Sequence, residues 1–100
     1  MRYNYNENKE IRLEWDETKR QQILAKHKID ILDAIEVMSD PNVSIYPDNR
    51  RDYNEPRFNA YGISKGRRLR VCFTPRGGSI RIITMFNVHE KEWRKYYGAD

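Results

Sequence analysis

Two neighbouring segments, Arg57 to Ile63 and Arg67 to Thr74, alternate apolar and polar side chains with the period of two that is typical of β-strands. The short stretch Ser64-Lys65-Gly66 between them ends in the type of residue that a tight hairpin turn uses. An apolar strand face has to be covered by another layer, so the hairpin requires helices packed against it. The apolar face of the second segment carries Leu69, Val71 and Phe73.

Two helices are predicted before this hairpin. Asp16 is suited to be the N-cap of a first helix, which should end near Lys28. Asp30 is predicted to cap a second helix whose apolar residues recur at helical spacing. Asp40-Pro41 should end that helix, because a residue before proline is disfavoured in the helical conformation.

Further strands are predicted for Ile11 to Trp15, Val43 to Tyr46 and Ser79 to Phe86. Asn87 and Glu90 resemble a capping box and predict a last helix. The expected fold class is α+β. An antiparallel sheet of three to four strands should be packed by two N-terminal helices and a C-terminal helix.

A chain of 100 residues is expected to form one domain. Residues 1–10 are polar and rich in asparagine, which predicts a flexible lead-in to a single domain at residues 11–100. No apolar run approaches the roughly 20 residues that a membrane span requires, and we expect no membrane partner. The single cysteine, Cys72, fits a reducing compartment and a cytoplasmic location.

Positive charge is concentrated in the middle third of the chain. Nine basic and two acidic residues lie between Arg50 and Arg81, a local charge of +7, whereas the whole chain carries +4. A sheet surface of this kind is suited to a polyanion. In a cytosolic protein of this size, that polyanion is expected to be a nucleic acid.

Several groups of residues resemble the BrnT toxins, the ribonuclease partners of type II toxin–antitoxin pairs. Their opening signature is matched by Trp15-Asp16, Lys19, Lys26-His27, Ala34, Val37 and Asp40-Pro41. Their sheet strands are matched by Glu55-Pro56-Arg57-Phe58, Ala60, Gly62, Arg67 to Leu69, Thr74-Pro75-Arg76 and Arg81 to Thr84. Their last helix is matched by Glu92, Arg94 and Tyr96.

The resemblance implies a RelE-like fold and RNA cleavage that halts translation and growth. It also implies neutralisation by a ribbon-helix-helix antitoxin, with operator DNA bound only through that antitoxin. Three positions depart from the family pattern, and one of them is Ile23, which stands where an asparagine is common. Lys28 stands where a glycine is usual, and a left-handed lysine costs about 1 kcal/mol, so we expect a different helix end. Phe86 stands where an arginine is usual, which would weaken catalysis.

Cleavage of RNA without a metal or cofactor needs a base, cations for the phosphate and an acid. Glu55 is the candidate base, and His27 or a tyrosine is the candidate acid or base. The candidate phosphate-binding cations are Arg57, Arg76 and Arg81, because a guanidinium can bind two phosphate oxygens. The candidates for further RNA contacts are Lys65, Arg67, Arg68 and Arg70, which could equally receive an acidic antitoxin segment.

Other interpretations stay open. Glu55 could serve only to pair with Arg57, and His27 could cap its helix. Tyr96 and Tyr97 are expected to pack the last helix, with stacking on an RNA base as the alternative. For the whole chain, the alternatives are a non-catalytic nucleic-acid-binding module and a protein-binding inhibitor that uses the same basic sheet.

Overall fold

The computed structural model describes the backbone of residues 2–7 and 9–98 and the side chains from residue 12 to residue 98. Within these ranges the chain forms six strands and three helices. Their order is β1 (Arg2–Glu7), β2 (Lys9–Glu14), α1 (Glu17–His27), α2 (Asp33–Ser39), β3 (Ser44–Pro47), β4 (Phe58–Ser64), β5 (Arg67–Arg76), β6 (Ser79–Asn87) and α3 (Glu90–Tyr96). The α+β class and the three predicted helices are confirmed.

The strands form one mixed sheet in the order β1-β2-β6-β5-β4-β3. All neighbours are antiparallel except β2 and β6, which pair in parallel through Leu13 with Ile80 and Glu14 with Arg81. The expectation of three to four antiparallel strands was therefore wrong. A parallel pair needs a long crossover, and the chain between β2 and β6 provides one that no local pattern indicates.

The start of the chain forms a strand that was not predicted from the sequence. Residues 2–7 form strand β1, which pairs antiparallel with β2 in a register that joins Tyr3 to Leu13 and Tyr5 to Ile11. Aromatic and branched side chains at these positions favour a strand, despite the asparagines between them. Residues 1 and 8 of the predicted lead-in lie outside the described residues. The flexibility of this segment stays a prediction.

The core lies between the sheet and the first two helices. Leu69, Val71 and Phe73 are all buried, as the strand alternation predicts. Helix α2 approaches β4 so closely that a Cβ at Gly62 would lie 2.7 Å from the carbonyl oxygen of Val37. Only glycine allows this approach, so Gly62 fixes the position of α2 on the sheet. No helix of the described chain is long and apolar enough to cross a membrane.

Helix α1 begins as predicted and ends differently. The Asp16 carboxylate accepts hydrogen bonds from the backbone N–H groups of Thr18 at 2.8 Å and Lys19 at 3.4 Å. Lys28 adopts the left-handed conformation, with φ 58°, so the expectation of another helix end was wrong. Its N–H donates to the Leu24 carbonyl at 3.0 Å, a C-cap bond that offsets part of the strain.

The predicted caps of the other two helices need correction. The Asp30 carboxylate accepts from the N–H of Leu32 at 2.9 Å, but this bond closes a turn, and α2 begins only at Asp33. Asn87 is the last residue of β6 and is not the N-cap of α3. That position belongs to His89, which makes no side-chain cap, while the Asn87 amide donates to the last carbonyl of α1.

Candidate active site

The side of the sheet opposite α2, here called the polar face, is defined by Tyr61, Arg70, Cys72 and Thr74 with their β6 partners. Cys72 and Thr74 are buried on it despite their alternation with the core residues. Burial raises the pKa of the Cys72 thiol. The functional candidates of the sequence lie mostly on this face and along its edges.

The +7 of the middle segment does not survive folding as a free positive surface. Acidic residues from outside the segment pair with many of its cations. The pairs are Arg50 with Asp48 at 2.8 Å, Lys65 with Asp33 at 3.1 Å, Arg67 with Asp33 at 2.9 Å and Arg70 with Glu92 at 2.7 Å. A charge count over this segment misses Asp48, which lies just before it, and Asp33 and Glu92, which are distant in the chain.

One carboxylate on this surface lies between two arginines. Glu55 Oε2 is 3.4 Å from Nε of Arg57, and Glu55 Oε1 is 3.6 Å from Nη2 of Arg76. The side chains are 30 %, 25 % and 51 % exposed, respectively. Contacts this long at an exposed position are weak, so a phosphate could take the place of the carboxylate on either guanidinium. We call this group the Glu55 cluster.

The backbone around the Glu55 cluster is fixed to the sheet from both sides. The Thr74 hydroxyl of β5 donates to the Pro56 carbonyl at 2.6 Å, and the Asp48 N–H donates to the Arg57 carbonyl at 2.7 Å. The Arg57 guanidinium lies over the Tyr53 ring, 4.0 Å from its centroid. This cation–π contact holds the guanidinium in place while leaving its N–H groups available.

Asp48 organises the loop that carries these residues, although no functional role was predicted for it from the sequence. Its side chain is 1 % exposed and accepts from Nε and Nη2 of Arg50, both at 2.8 Å, and from the Tyr53 hydroxyl at 3.4 Å. The hydrogen-bonded Arg50 guanidinium lowers the pKa of Asp48 to about 2. Asp48 also accepts a hydrogen bond from the backbone N–H of Arg50, two residues later, as aspartates commonly do in turns. An aspartate in a turn-rich stretch is the sequence signal that could have indicated this role.

Arg81 and His27 lie apart from the Glu55 cluster. Arg81 pairs with Thr74 across β5 and β6, while Arg57 precedes the first residue of β4. The two arginines thus flank β5, about 10 Å apart at a strand spacing of about 4.8 Å. His27 ends α1, and its ring meets Phe86 edge-on at 5.5 Å.

His27 is farther away still. The ring partner of His27, Phe86, pairs with Arg70 across the sheet, and Arg70 pairs with Tyr61. Tyr61 lies four residues after Arg57 in the chain. At about 3.4 Å per residue, His27 belongs to a level of the sheet about 14 Å from the Glu55 cluster. The structure brings Glu55, Arg57 and Arg76 together, leaves Arg81 nearby, and separates His27.

The predicted RNA-contact residues fall into two groups. Lys65 and Arg67 are held by Asp33 beside α2, and Arg70 lies 4.6 Å over the Phe86 ring while it pairs with Glu92. These three cations are engaged within the chain. Arg68 is exposed. Phe86, at the position where the family pattern has an arginine, supports the guanidinium of Arg70.

Within residues 12–98 no group of three or more His, Cys, Asp or Glu side chains is arranged to hold a metal ion. The Glu55 cluster consists of one carboxylate and two guanidiniums. The N–H groups of the guanidiniums suit an anionic ligand.

A family model described as "Ribonuclease toxin, BrnT, of type II toxin-antitoxin system" matches residues 15–92. The match covers more than half of the chain. It includes the first residues of all three helices, strands β3 to β6 and the Glu55 cluster. No curated protein is significantly similar. The chain therefore belongs to the BrnT family of ribonuclease toxins of type II toxin–antitoxin systems.

Proposed function

We propose that this member of the BrnT family cleaves RNA internally, without a metal ion, at the Glu55 cluster. The observation that carries the proposal is the exposed Glu55 carboxylate between two guanidiniums from different parts of the sheet. A base and two phosphate-binding groups within reach of one another are what transfer of a ribose 2′-hydroxyl to its own phosphate requires.

In the proposed reaction, Glu55 takes the proton of the 2′-hydroxyl as the oxygen attacks the adjacent phosphorus. Arg57 and Arg76 bind the phosphate oxygens and stabilise the negative charge that develops on them. The bond from phosphorus to the 5′-oxygen breaks, leaving a 2′,3′-cyclic phosphate. We assign the proton for the leaving oxygen to the Tyr53 hydroxyl, because Tyr53 lies directly beneath Arg57, whereas His27 lies at a distant level of the sheet.

A type II toxin has an antitoxin partner, and the family membership extends this to the present chain. We propose that the antitoxin is of the ribbon-helix-helix type and inserts an Asp or Glu between Arg57 and Arg76. Such a carboxylate would compete directly with the RNA phosphate for the same N–H groups. Operator DNA would be bound through the antitoxin alone. Action on translation places the pair in the cytoplasm.

The test combines growth and chemistry. Expression without a partner is expected to arrest growth, and the purified protein is expected to degrade RNA in excess EDTA, leaving 2′,3′-cyclic phosphate ends. Glu55→Gln should abolish cleavage, and Tyr53→Phe should reduce it, with the fold unchanged by circular dichroism. Cleavage that requires a divalent cation would overturn the metal-free mechanism.

A second candidate is a non-catalytic RNA-binding module, and Phe86 is the observation that favours it, because an expected cation is replaced. Unimpaired growth together with intact RNA at micromolar protein would support this candidate. Salt-dependent RNA affinity in the same samples would separate it from a protein-binding inhibitor.

A further inference from the structure

A concave surface lies between α3 and the β3–β4 edge of the sheet, with a cavity volume of about 470 Å³. We call it the α3 groove. Its walls combine several aromatic rings with cations. The residues that matter to the argument are Tyr46, Asn59, Tyr61, Lys91, Lys95 and Tyr96.

The aromatic wall is rigid. The Tyr61 and Tyr96 rings are stacked, with centroids 5.0 Å apart and planes within 12° of each other. Tyr46 meets Tyr96 edge-on at 5.0 Å, and its hydroxyl donates to the Tyr96 backbone carbonyl at 3.3 Å. Tyr61 is buried and covers one face of Tyr96. The Lys95 ammonium also lies over the Tyr96 ring, so a planar ligand that displaces it could extend this stack.

The groove is positively charged, and its acidic groups are already engaged. The Glu92 carboxylate accepts from the Tyr61 hydroxyl and from Arg70, both at 2.7 Å. Lys91 and Lys95 have no ion-pair partner in the part of the chain with described side chains, and the Lys95 ammonium lies 5.3 Å from the centroid of the Tyr96 ring. Both ammonium groups are therefore available to a phosphate beside that ring.

The floor of the groove holds polar atoms that the described residues do not satisfy. Oδ1 of Asn59 and Nε of Arg70 are buried without a hydrogen-bond partner among them. A buried acceptor or donor left unpaired costs about 1–3 kcal/mol. A ligand with hydrogen-bonding edges that lets these side chains reorient would remove that cost, as a nucleobase can and an apolar side chain cannot.

We propose that the α3 groove binds one nucleotide of single-stranded RNA, with the base stacked on Tyr96 and the phosphate held by Lys91 and Lys95. This proposal rests on the proposed function, because it supplies that reaction with a second contact along the same strand. Tyr61 of β4 lies four residues after Arg57, so the two residues are about 14 Å apart at about 3.4 Å per residue. A short single strand on the polar face can reach both.

The experiment measures binding apart from cleavage. Short 2′-O-methyl RNA, which lacks the attacking hydroxyl, would carry 2-aminopurine at each position in turn, since its fluorescence falls when it stacks on an aromatic ring. Quenching is expected at one position with the wild-type protein. Tyr96→Phe should keep it, whereas Tyr96→Leu should remove it and weaken binding about tenfold.

The charge contribution has a matched control on the same helix. Arg94 is 77 % exposed, pairs with Glu90 and does not line the groove. A Lys91→Ala/Lys95→Ala double variant is expected to lower the slope of log affinity against log salt by about 0.7, the contribution of the one phosphate that both lysines contact on a single strand. Arg94→Ala should leave both slope and quenching unchanged.

Each outcome bears on a different proposal. Quenching that persists in Tyr96→Leu, or an equal loss of affinity in the lysine variant and Arg94→Ala, overturns the nucleotide site. Competition by an acidic peptide without any quenching by RNA assigns the groove to a protein partner and overturns it too. If the wild type binds and quenches but never cleaves unmodified RNA, the groove stands and the ribonuclease mechanism falls.

Discussion

Two carboxylates in this protein each lie between two cations, and they differ in every other respect. Asp33, at the start of α2, is 3 % exposed and contacts Lys65 at 3.1 Å and Arg67 at 2.9 Å. It also accepts from the Ser64 hydroxyl at 3.2 Å and the Asp30 N–H at 3.1 Å. Glu55 is 30 % exposed, and its two guanidinium contacts are 3.4 and 3.6 Å long.

The difference separates a structural ion cluster from a candidate catalytic one. The oxygens of Asp33 are saturated by four partners, so its cations cannot leave without exposing a buried charge. The oxygens of Glu55 have weaker partners and face solvent, so its arginines can exchange the carboxylate for a phosphate. Similar groupings in space, one carboxylate between two cations, thus serve stability in one place and are suited to binding in the other.

The largest expected effect concerns cleavage. Arg57→Ala should reduce kcat/KM for RNA by about 100-fold, the loss expected when a contact to transition-state charge is removed. Arg81→Ala is expected to have an effect of the same size if the phosphate path crosses β5. Arg67→Ala, the matched change at a cation that pairs with Asp33, should leave RNA cleavage by the folded protein nearly unchanged. Full activity of folded Arg57→Ala would place the active surface elsewhere.

Stability should show the opposite ranking. Asp33→Ala is expected to lower the free energy of unfolding by about 2–3 kcal/mol, because Arg67 and the Asp30 N–H lose a charged, buried partner. Glu55→Ala should change it by less than about 1 kcal/mol, since its ion pairs are exposed. Urea denaturation of both variants measures the contrast. Equal losses would show that the Glu55 cluster is structural too.

Acidification should affect the loop that holds the Glu55 cluster. The pKa of Asp48 is about 2 in the folded protein, below the ordinary value of 3.8. The unfolded state therefore binds more protons between these values, and the stability from Asp48 is complete above about pH 4 and lost as pH falls toward 2. We expect about 1–2 kcal/mol from this source. Asp48→Asn should flatten this part of the curve of unfolding free energy against pH.

The smallest expected effect concerns the end of α1. This helix end is linked to the ion pairs of Asp33, because the Lys28 carbonyl accepts a hydrogen bond from Nη1 of Arg67 at 2.6 Å. Lys28→Gly should raise the free energy of unfolding by about 0.5–1 kcal/mol, because glycine adopts a positive φ without strain. Thermal denaturation measures the change, with Lys26→Gly inside the helix as a destabilising control. A loss of stability in Lys28→Gly would mean that the lysine side chain matters more than its backbone strain.

Local patterns predicted local structure well. The hairpin of β4 and β5, the start of α1 at Asp16 and the buried alternation from Leu69 to Phe73 all depend on neighbours within a few residues. The errors arose where distant residues decide. The parallel pairing of β2 with β6 and the start of α2 after Asp30 depend on contacts across the fold.

The same division holds for the candidate site. Arg57 and Arg76 could be singled out because they belong to neighbouring predicted strand segments, and Glu55 because it is the nearest plausible base. The roles of Tyr61 and Glu92 could not be predicted, because they depend on which side chains these residues meet across the polar face. Arg70 was correctly noticed as a cation, but its pairing with Glu92 is a property of the fold.

The sequence by itself determined the α+β class, most of the strands and helices, the family and the Glu55–Arg57 pair, because hydrophobic period, caps and short motifs act over a few residues. Only the tertiary structure decided which of the many arginines are available. Asp33, Asp48 and Glu92 come from other segments and pair with four of the nine cations of the +7 stretch, while Glu55 holds its arginines weakly at the surface. The physical reason is that charge pairing depends on distance and solvent exposure in space, neither of which can be counted along the chain.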